Sequence, residues 1–181
     1  EKVRFLADVG FSQVVLAREL TLEQIRSCRA AAPNATLEFF VHGALCVCYS
    51  GQCYLSAATR GRSANRGACA QLCRLPYTVK DYKGDVIKSH CYALSLKDND
   101  QCGNIRELIE AGVRSFKIEG RLKDASYVKN ITAYYRKALD CLIEENICQS
   151  ASLGKTTFSF TPNPEKTFHR GSCEAFVHGR P

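Results

Sequence analysis

The chain has 181 residues, 45% of them hydrophobic and 24% charged, which is ordinary composition for one domain with a packed core. No run approaches about 18 consecutive apolar residues, which excludes a membrane-spanning helix, and a net charge of +7 is compatible with a nucleic-acid partner without requiring one. The eleven Cys are odd in number and sit among well-capped α/β segments, which argues against a secreted disulfide framework and for a reducing cytoplasm with thiols available to a metal.

Lys2 to Gly10 reads as helix, so the sequence opens inside an element; with no Met in the chain, it reads as a fragment of a longer protein. Val14, Val15, Leu16 and Ala17 form an apolar run ending in Arg18 and Glu19, the pattern of a buried strand with polar residues at its end. Thr21 and Gln24 make a capping box, and Leu22, Ile25 and Cys28 supply the helical stripe behind it. Pro33 and Asn34 stop that helix, and Leu37, Phe39, Phe40 and Val41 make the next strand.

From Gly43 to about Pro76 the chain is rich in Cys, Gly, Ser, Arg and Asn and has no sustained period, so it reads as a long irregular loop that metal ligation would order. Tyr77–Lys80 and Asp85–Lys88 flank Tyr82-Lys83-Gly84, a hairpin pattern. Ala93, Leu94 and Leu96 predict a strand ending at Lys97 and Asp98. Ile105, Leu108 and Ile109 predict a helix stopping at Gly112. Phe116 and Ile118 predict a strand ending in Glu119, Gly120 and Arg121. Asp124 caps a long helix with the stripe Val128, Ile131, Tyr135, Leu139 and Leu142. Residues 150–164 read as linker with a short strand at Thr157 to Thr161, and the remaining tail is too poor in apolar residues for a core of its own.

Strands alternating with helices imply parallel β–α units. The fold class is therefore α/β: the C-terminal part of a (β/α) TIM-like barrel with a long Cys-rich insertion loop. Residues 1–149 carry the partial barrel, the loop spans about 43–76, and 150–181 form linker and tail. Barrel chemistry sits at the C-terminal ends of strands, where the pattern puts Arg18, Glu19, His42, Lys97, Asp98, Glu119 and Arg121. Lys97, Glu119 and Arg121 are the candidates for handling substrate; a solvated strand end or a structural ion pair accounts for any one of them equally well.

Cys46, Cys53, Cys69 and Cys73, separated by six, fifteen and three residues, all fall in the irregular loop. Thiolates are soft ligands, and four of them satisfy either zinc or a four-iron cluster. The spacing matches neither the usual paired zinc ligands nor a common ferredoxin run, so it supports a metal without naming it. Cys48 could substitute for Cys46; Cys28, Cys141 and Cys148 fall in helical stretches as packing residues; and Cys91, Cys102 and Cys173 are unassigned. Arg60, Arg62, Arg66 and Arg74 interleave with the four ligand candidates, where they could hold RNA phosphates or an anionic cosubstrate, or serve as loop-surface charge.

The segment Glu38-Phe39-Phe40-Val41-His42-Gly43-Ala44-Leu45-Cys46, followed after four residues by Gly51-Gln52-Cys53-Tyr54-Leu55-Ser56, resembles the signature of the U32 "peptidase" family at every fixed position. The resemblance continues through Arg62 to Gly67, Cys69, Cys73 to Tyr77, Leu94 to Asp100, Ser115 to Arg121, Tyr127 to Thr132 and Phe168 to Gly171, covering nearly the whole chain. Within the family these segments are most similar to the branch that makes 5-hydroxycytidine in 23S ribosomal RNA. The resemblance implies a 4Fe-4S cluster on Cys46, Cys53, Cys69 and Cys73, oxygen insertion at C5 of a pyrimidine, ribosomal RNA or its precursor as partner, and prephenate as a cosubstrate. The family name also implies a collagenase-like peptidase, for which the sequence offers neither a His-Glu-x-x-His helix nor a Gly-x-Ser-x-Gly elbow. A metal-stabilised module that binds RNA without catalysis is the third reading.

Overall fold

A computed structural model describes residues 1–179, with α1 at Lys2–Asp8, β1 at Gln13–Val15, α2 at Leu22–Ala31, β2 at Thr36–Ala44 and α3 at Leu55–Arg60. It continues with β3 at Tyr77–Lys80, β4 at Val86–Cys91, β5 at Asp98–Asp100, α4 at Ile105–Glu110, β6 at Val113–Ile118, α5 at Ala125–Glu144 and β7 at Ser172–Cys173. The fold is mixed α/β, with parallel and antiparallel pairing. No helix among the described residues is long and apolar enough to cross a membrane.

The chain divides into two compact units, residues 1–44 with 98–181 and residues 45–97. In the first unit β2 is the central strand. Its first half pairs with β1, parallel, through Gln13–Thr36 to Val15–Glu38. Its last residues pair with β5, antiparallel, through His42–Asp100 to Ala44–Asp98. Parallel β6 runs along the other edge from Leu37–Val113 to His42–Ile118. The core consists of Leu37, Phe39 and Val41 from β2, packed with Ile25 of α2, Leu108 of α4, Val113 of β6 and Ile131 of α5. A side chain of this size contributes about 1.5–3 kcal/mol when fully buried.

The helix ends form where local chemistry dictates. Thr21 and Gln24 complete both bonds of the capping box on α2. The Asp124 side chain accepts from the Tyr127 N–H at 2.7 Å and starts α5. Gly112 follows α4 at φ +103°, where a Cβ would lie 2.7 Å from Arg29. Arg29 fills that space and donates to the carbonyls of Gly112, Ala32, Pro33 and Ala35, tying α2 to the start of β6.

Three expectations are corrected. The strand expected over 93–96 lies later, as β5, and is built of polar residues: Asp98 and Asn99 are buried while Leu96 is exposed. Its hydrogen-bonding groups are met internally. Asn99 donates to the Phe40 carbonyl at 3.0 Å, and Gln101 Nε2 donates to Asn99 Oδ1 and to the Glu174 carbonyl, both at 2.7 Å. No strand forms at 157–161; the tail instead adds β7, parallel to β5, and buries Val177 in the core. On α5 the buried positions are Tyr127, Ile131, Ala133 and Tyr135, so Val128, 48% exposed, leaves the expected stripe.

The 45–97 unit contains α3, two short 3-10 turns at Ala64–Arg66 and Leu72–Arg74, and the hairpin of β3 and β4. Asp81 Oδ1 closes the hairpin turn by accepting from the N–H groups of Lys83 and Asp85, each at 2.9 Å. Leu45 and Ser56 are its only buried residues.

Candidate functional site

The 45–97 unit carries Cys46, Cys48, Cys53, Cys69, Cys73 and Cys91, all as free thiols. Burial pushes the Cys73 thiol up; Arg74 opposes that, and Cys46, Cys69 and Cys53 add to it. The Cys48 thiol is raised by burial, then by a hydrogen bond with Cys53 and by the nearness of Cys53, Cys46 and Cys73. Cys73 therefore lies within electrostatic reach of Cys46, Cys53 and Cys69, and Cys48 within reach of Cys46, Cys53 and Cys73. Cys91 stands apart in these contacts and donates to the Tyr77 carbonyl at 3.4 Å.

Local hydrogen bonds hold the segments that bear these thiols. The Cys53 N–H donates to Asn65 Oδ1 at 3.1 Å, and the Ala70 N–H donates to the buried Ser56 hydroxyl at 3.0 Å. The Gln71 N–H donates to Cys69 Sγ at 3.3 Å, with Gln71 itself at φ +54°. That N–H fixes the position of the Cys69 sulfur within the loop. Among the described residues no three Cys, His, Asp or Glu side chains form a group set to hold a single metal ion. Thiol sulfur is the donor type of iron–sulfur clusters and zinc and not of hard cations such as magnesium or calcium.

The four arginines separate. Arg74 donates to the Leu45 carbonyl and, at 3.0 Å, to Ser95 Oγ, so it ties the two ends of this unit together. Arg60, Arg62 and Arg66 are exposed. Lys97, also exposed, lies in the same unit; it immediately precedes β5 and so does not follow a strand end as the sequence pattern suggested.

In the first unit a second constellation forms at the C-terminal ends of β2 and β6. His42 is buried on β2, with Nδ1 3.3 Å from Tyr135 Oη and 3.8 Å from Asp100 Oδ1. Tyr135 Oη also reaches the Val41 carbonyl at 2.7 Å and Asp100 Oδ1 at 2.9 Å, and accepts from the Gln101 N–H. Burial alone would raise the Asp100 carboxyl; bonds from His42, the Cys102 N–H and Tyr135 reverse this and hold it below the usual carboxylate range. Burial and the nearby carboxylates of Asp98, Glu119 and Asp100 push the Tyr127 phenol up to about 12.

Glu119 follows β6, donates its N–H to the His42 carbonyl at 2.8 Å and accepts the Arg121 N–H at 2.7 Å on its own carboxylate, while the Arg121 side chain is exposed. Gly43 makes this corner possible: at φ +107°, a Cβ there would lie 2.7 Å from the Glu119 carbonyl oxygen and 3.2 Å from Tyr127 Oη. Lys123 sits over the rings of Tyr127 and Phe168 at 4.5 and 4.9 Å, and Arg170 stacks on Phe168 and pairs with Asp98 at 3.2 Å. Of the other expected strand-end residues, Arg18 lies 5.1 Å over the Phe40 ring, on a side chain that Lys117 also covers. The corner thus offers a His–Asp pair able to move a proton, two phenols held neutral, and cations beside an aromatic ring.

Sequence reasoning found His42, Glu119 and Asp98 and passed over Asp100, Tyr127, Lys123, Phe168 and Arg170 as site residues. The signal for the tyrosines was present in the spacing of Tyr127, Ile131 and Tyr135, four apart on one helix face.

The profile of peptidase family U32 matches residues 1–181. The chain is 62% identical over 181 residues to the 23S rRNA 5-hydroxycytidine C2501 synthase of Escherichia coli K12, covering 99% of this chain and 28% of that protein. It is 41% identical over 155 residues to a collagenase of Porphyromonas gingivalis, covering 77% of this chain and 36% of the relative. It is 35% identical over 190 residues to tRNA hydroxylation protein P1 of Bacillus subtilis, covering 99% of this chain and 42% of that protein. The chain therefore spans less than half the length of each of these relatives. No solved structure matches it.

Proposed function

This chain belongs to peptidase family U32, and we propose that it is the cysteine-bearing part of a cytoplasmic RNA hydroxylase that makes 5-hydroxycytidine in ribosomal RNA. The observation that carries the reading is the 62% identity to a 23S rRNA 5-hydroxycytidine synthase over 99% of this chain. Relatives named as tRNA hydroxylation proteins support RNA as the substrate class. The parallel β1, β2 and β6 support a place in a (β/α) TIM-like barrel, whose chemistry would lie at the strand ends where His42 and Glu119 stand.

Cys46, Cys53, Cys69 and Cys73 are the proposed ligands of a 4Fe-4S cluster. Bound there, such a cluster supplies the one-electron chemistry that side chains lack. The chain's own residues do the rest. The Gln71 N–H holds the Cys69 sulfur in place, and Arg74 keeps Leu45, next to Cys46, fastened to Ser95. Asp100 fixes the His42 imidazole for proton transfer, and Lys123 and Arg170 present positive charge to an anionic substrate such as RNA or prephenate. A peptidase reading draws on relatives named collagenase. It needs Cys46 as a free nucleophile, which is at odds with that sulfur serving as a cluster ligand.

Anaerobic purification followed by iron and sulfide analysis tests the centre, and mass spectrometry of ribosomal RNA from cells with and without the gene tests the activity. Each of C46A, C53A, C69A and C73A is expected to lose most of the iron and the modification together. Full iron content in all four variants would reject the ligand set; unchanged RNA in the deletion strain would reject the hydroxylase.

A further inference from the structure

A cavity of about 340 Å³ lies between the first turns of α5 and the segment 160–167, lined by Ser126, Lys129, Phe160, Thr161 and Lys166 among others. The segment is docked in place from both sides: Asn130 Nδ2 donates to the Asn163 carbonyl at 2.7 Å, and the Asn163 N–H donates back to Asn130 Oδ1 at 2.9 Å. The groove is therefore built before any ligand arrives. Phe160 is 42% exposed, and its ring is braced edge-on by Phe158 at 5.9 Å. Neither Lys129 nor Lys166 has an ion-pair partner among the described residues, and the neighbouring Glu165 is paired with His169 at 3.0 Å.

An exposed ring beside two uncommitted ammonium groups and two hydroxyls is the chemistry of single-stranded nucleic acid: the ring stacks a base and the lysines meet the flanking phosphates. The volume lies at the small end of ligand pockets, roughly 300–1,000 Å³, and suits one nucleoside rather than a large ligand. We propose that this groove binds a single-stranded segment of the RNA substrate, with Phe160 stacking one base and Lys129 and Lys166 on its phosphates. The proposal rests on the RNA-hydroxylase reading for the identity of the polymer. It concerns a surface that neither the cysteines nor the His42 corner contributes.

The test is fluorescence anisotropy of the intact protein with a labelled short single-stranded RNA, measured across a salt series. Each lost phosphate contact should lower the log–log salt slope by about 0.7, so K129Q/K166Q should lose about 1.4 of it. Lys129→Arg with Lys166→Arg should keep the slope. Phe160→Leu should weaken binding by about fivefold or more while leaving the slope unchanged, because stacking releases no counterions. All three positions are exposed, so folding is not at issue. A wild-type slope in K129Q/K166Q overturns the groove and leaves the hydroxylase reading standing, as does failure of the iron-loaded protein to bind the probe. A protein that shows the slope loss yet modifies no ribosomal RNA keeps the groove and loses the hydroxylase.

Discussion

The unit formed by residues 1–44 and 98–181 buries Phe39, Leu37, Ile25, Leu108 and Ile131, whereas residues 45–97 bury only Leu45 and Ser56. One has a hydrophobic core with the His42 corner at its edge; the other has almost no core and holds six of the eleven thiols. A segment of this length without apolar burial has too little to offset the conformational entropy lost on ordering. Covalent or metal cross-links are the known remedy, and cysteine supplies the chemistry for one. The comparison teaches that the unit poorest in core is the one richest in thiols, so the cluster proposed there would serve structure as well as chemistry.

Stripping the proposed cluster should give the largest effect and the clearest division between the units. Structural metal in small cysteine sites contributes binding free energy of about 10–16 kcal/mol. Hydrogen exchange after chelation, or in C46A, should show loss of protection across 45–97 and little change in β2 and β6. Retained protection in 45–97 would break the comparison and leave Arg74 and the hairpin as its supports. The converse variant, Phe39→Ala, should cost about 3–5 kcal/mol in the first unit, read by denaturant unfolding of its exchange-protected strands. Iron content per folded molecule should not change.

What could be read from the sequence differs between the units for the same reason. The Thr21–Gln24 box, the Asp124 cap, the Gly112 stop and the hairpin turn are local signals, and each forms as read. The strand β5 could not be read, because its burial depends on partners far along the chain: Phe40, Tyr135 and Glu174 satisfy Asn99 and Gln101. Polar residues in a sequence window look solvated until those partners are known. The two-residue β7 exists only by pairing with β5, so it was hidden with it. The sulfurs were legible as metal candidates by residue type alone. The His42, Asp100 and Tyr135 set was not, since the chain separates its members by up to 93 residues.

Gly43 sharpens the comparison at a backbone position in the first unit, two residues along the chain from Leu45, whose carbonyl Arg74 holds within the second. Gly43→Ala requires a non-glycine residue at φ +107° and a Cβ at 2.7 Å from the Glu119 carbonyl. Strain and clash together should cost about 2–4 kcal/mol. Thermal unfolding checks the magnitude, and the Tyr127 environment should shift with it, since Tyr127 Oη donates to that same carbonyl.

The smallest effect expected is a pH dependence confined to the first unit. The Asp100 carboxyl in the folded chain lies below its ordinary value of about 3.9, because bonds from His42, the Cys102 N–H and Tyr135 outweigh the burial that would raise it. Between the folded and unfolded values the unfolded chain binds more protons, so stability rises with pH through that window. The contribution is complete above the unfolded value and disappears as pH falls through the folded one. Asp100→Asn removes the titration and should flatten this part of the stability curve below about pH 4, while leaving a protein that still folds through Tyr135 and Val41. Exchange protection in the thiol-rich unit should be the same in Asp100→Asn as in the wild type over this range. An unaltered curve in the Asn variant would mean that the bonds to Asp100 do not favour its ionised form, and the case for Asp100 as the group that orients His42 would go with them.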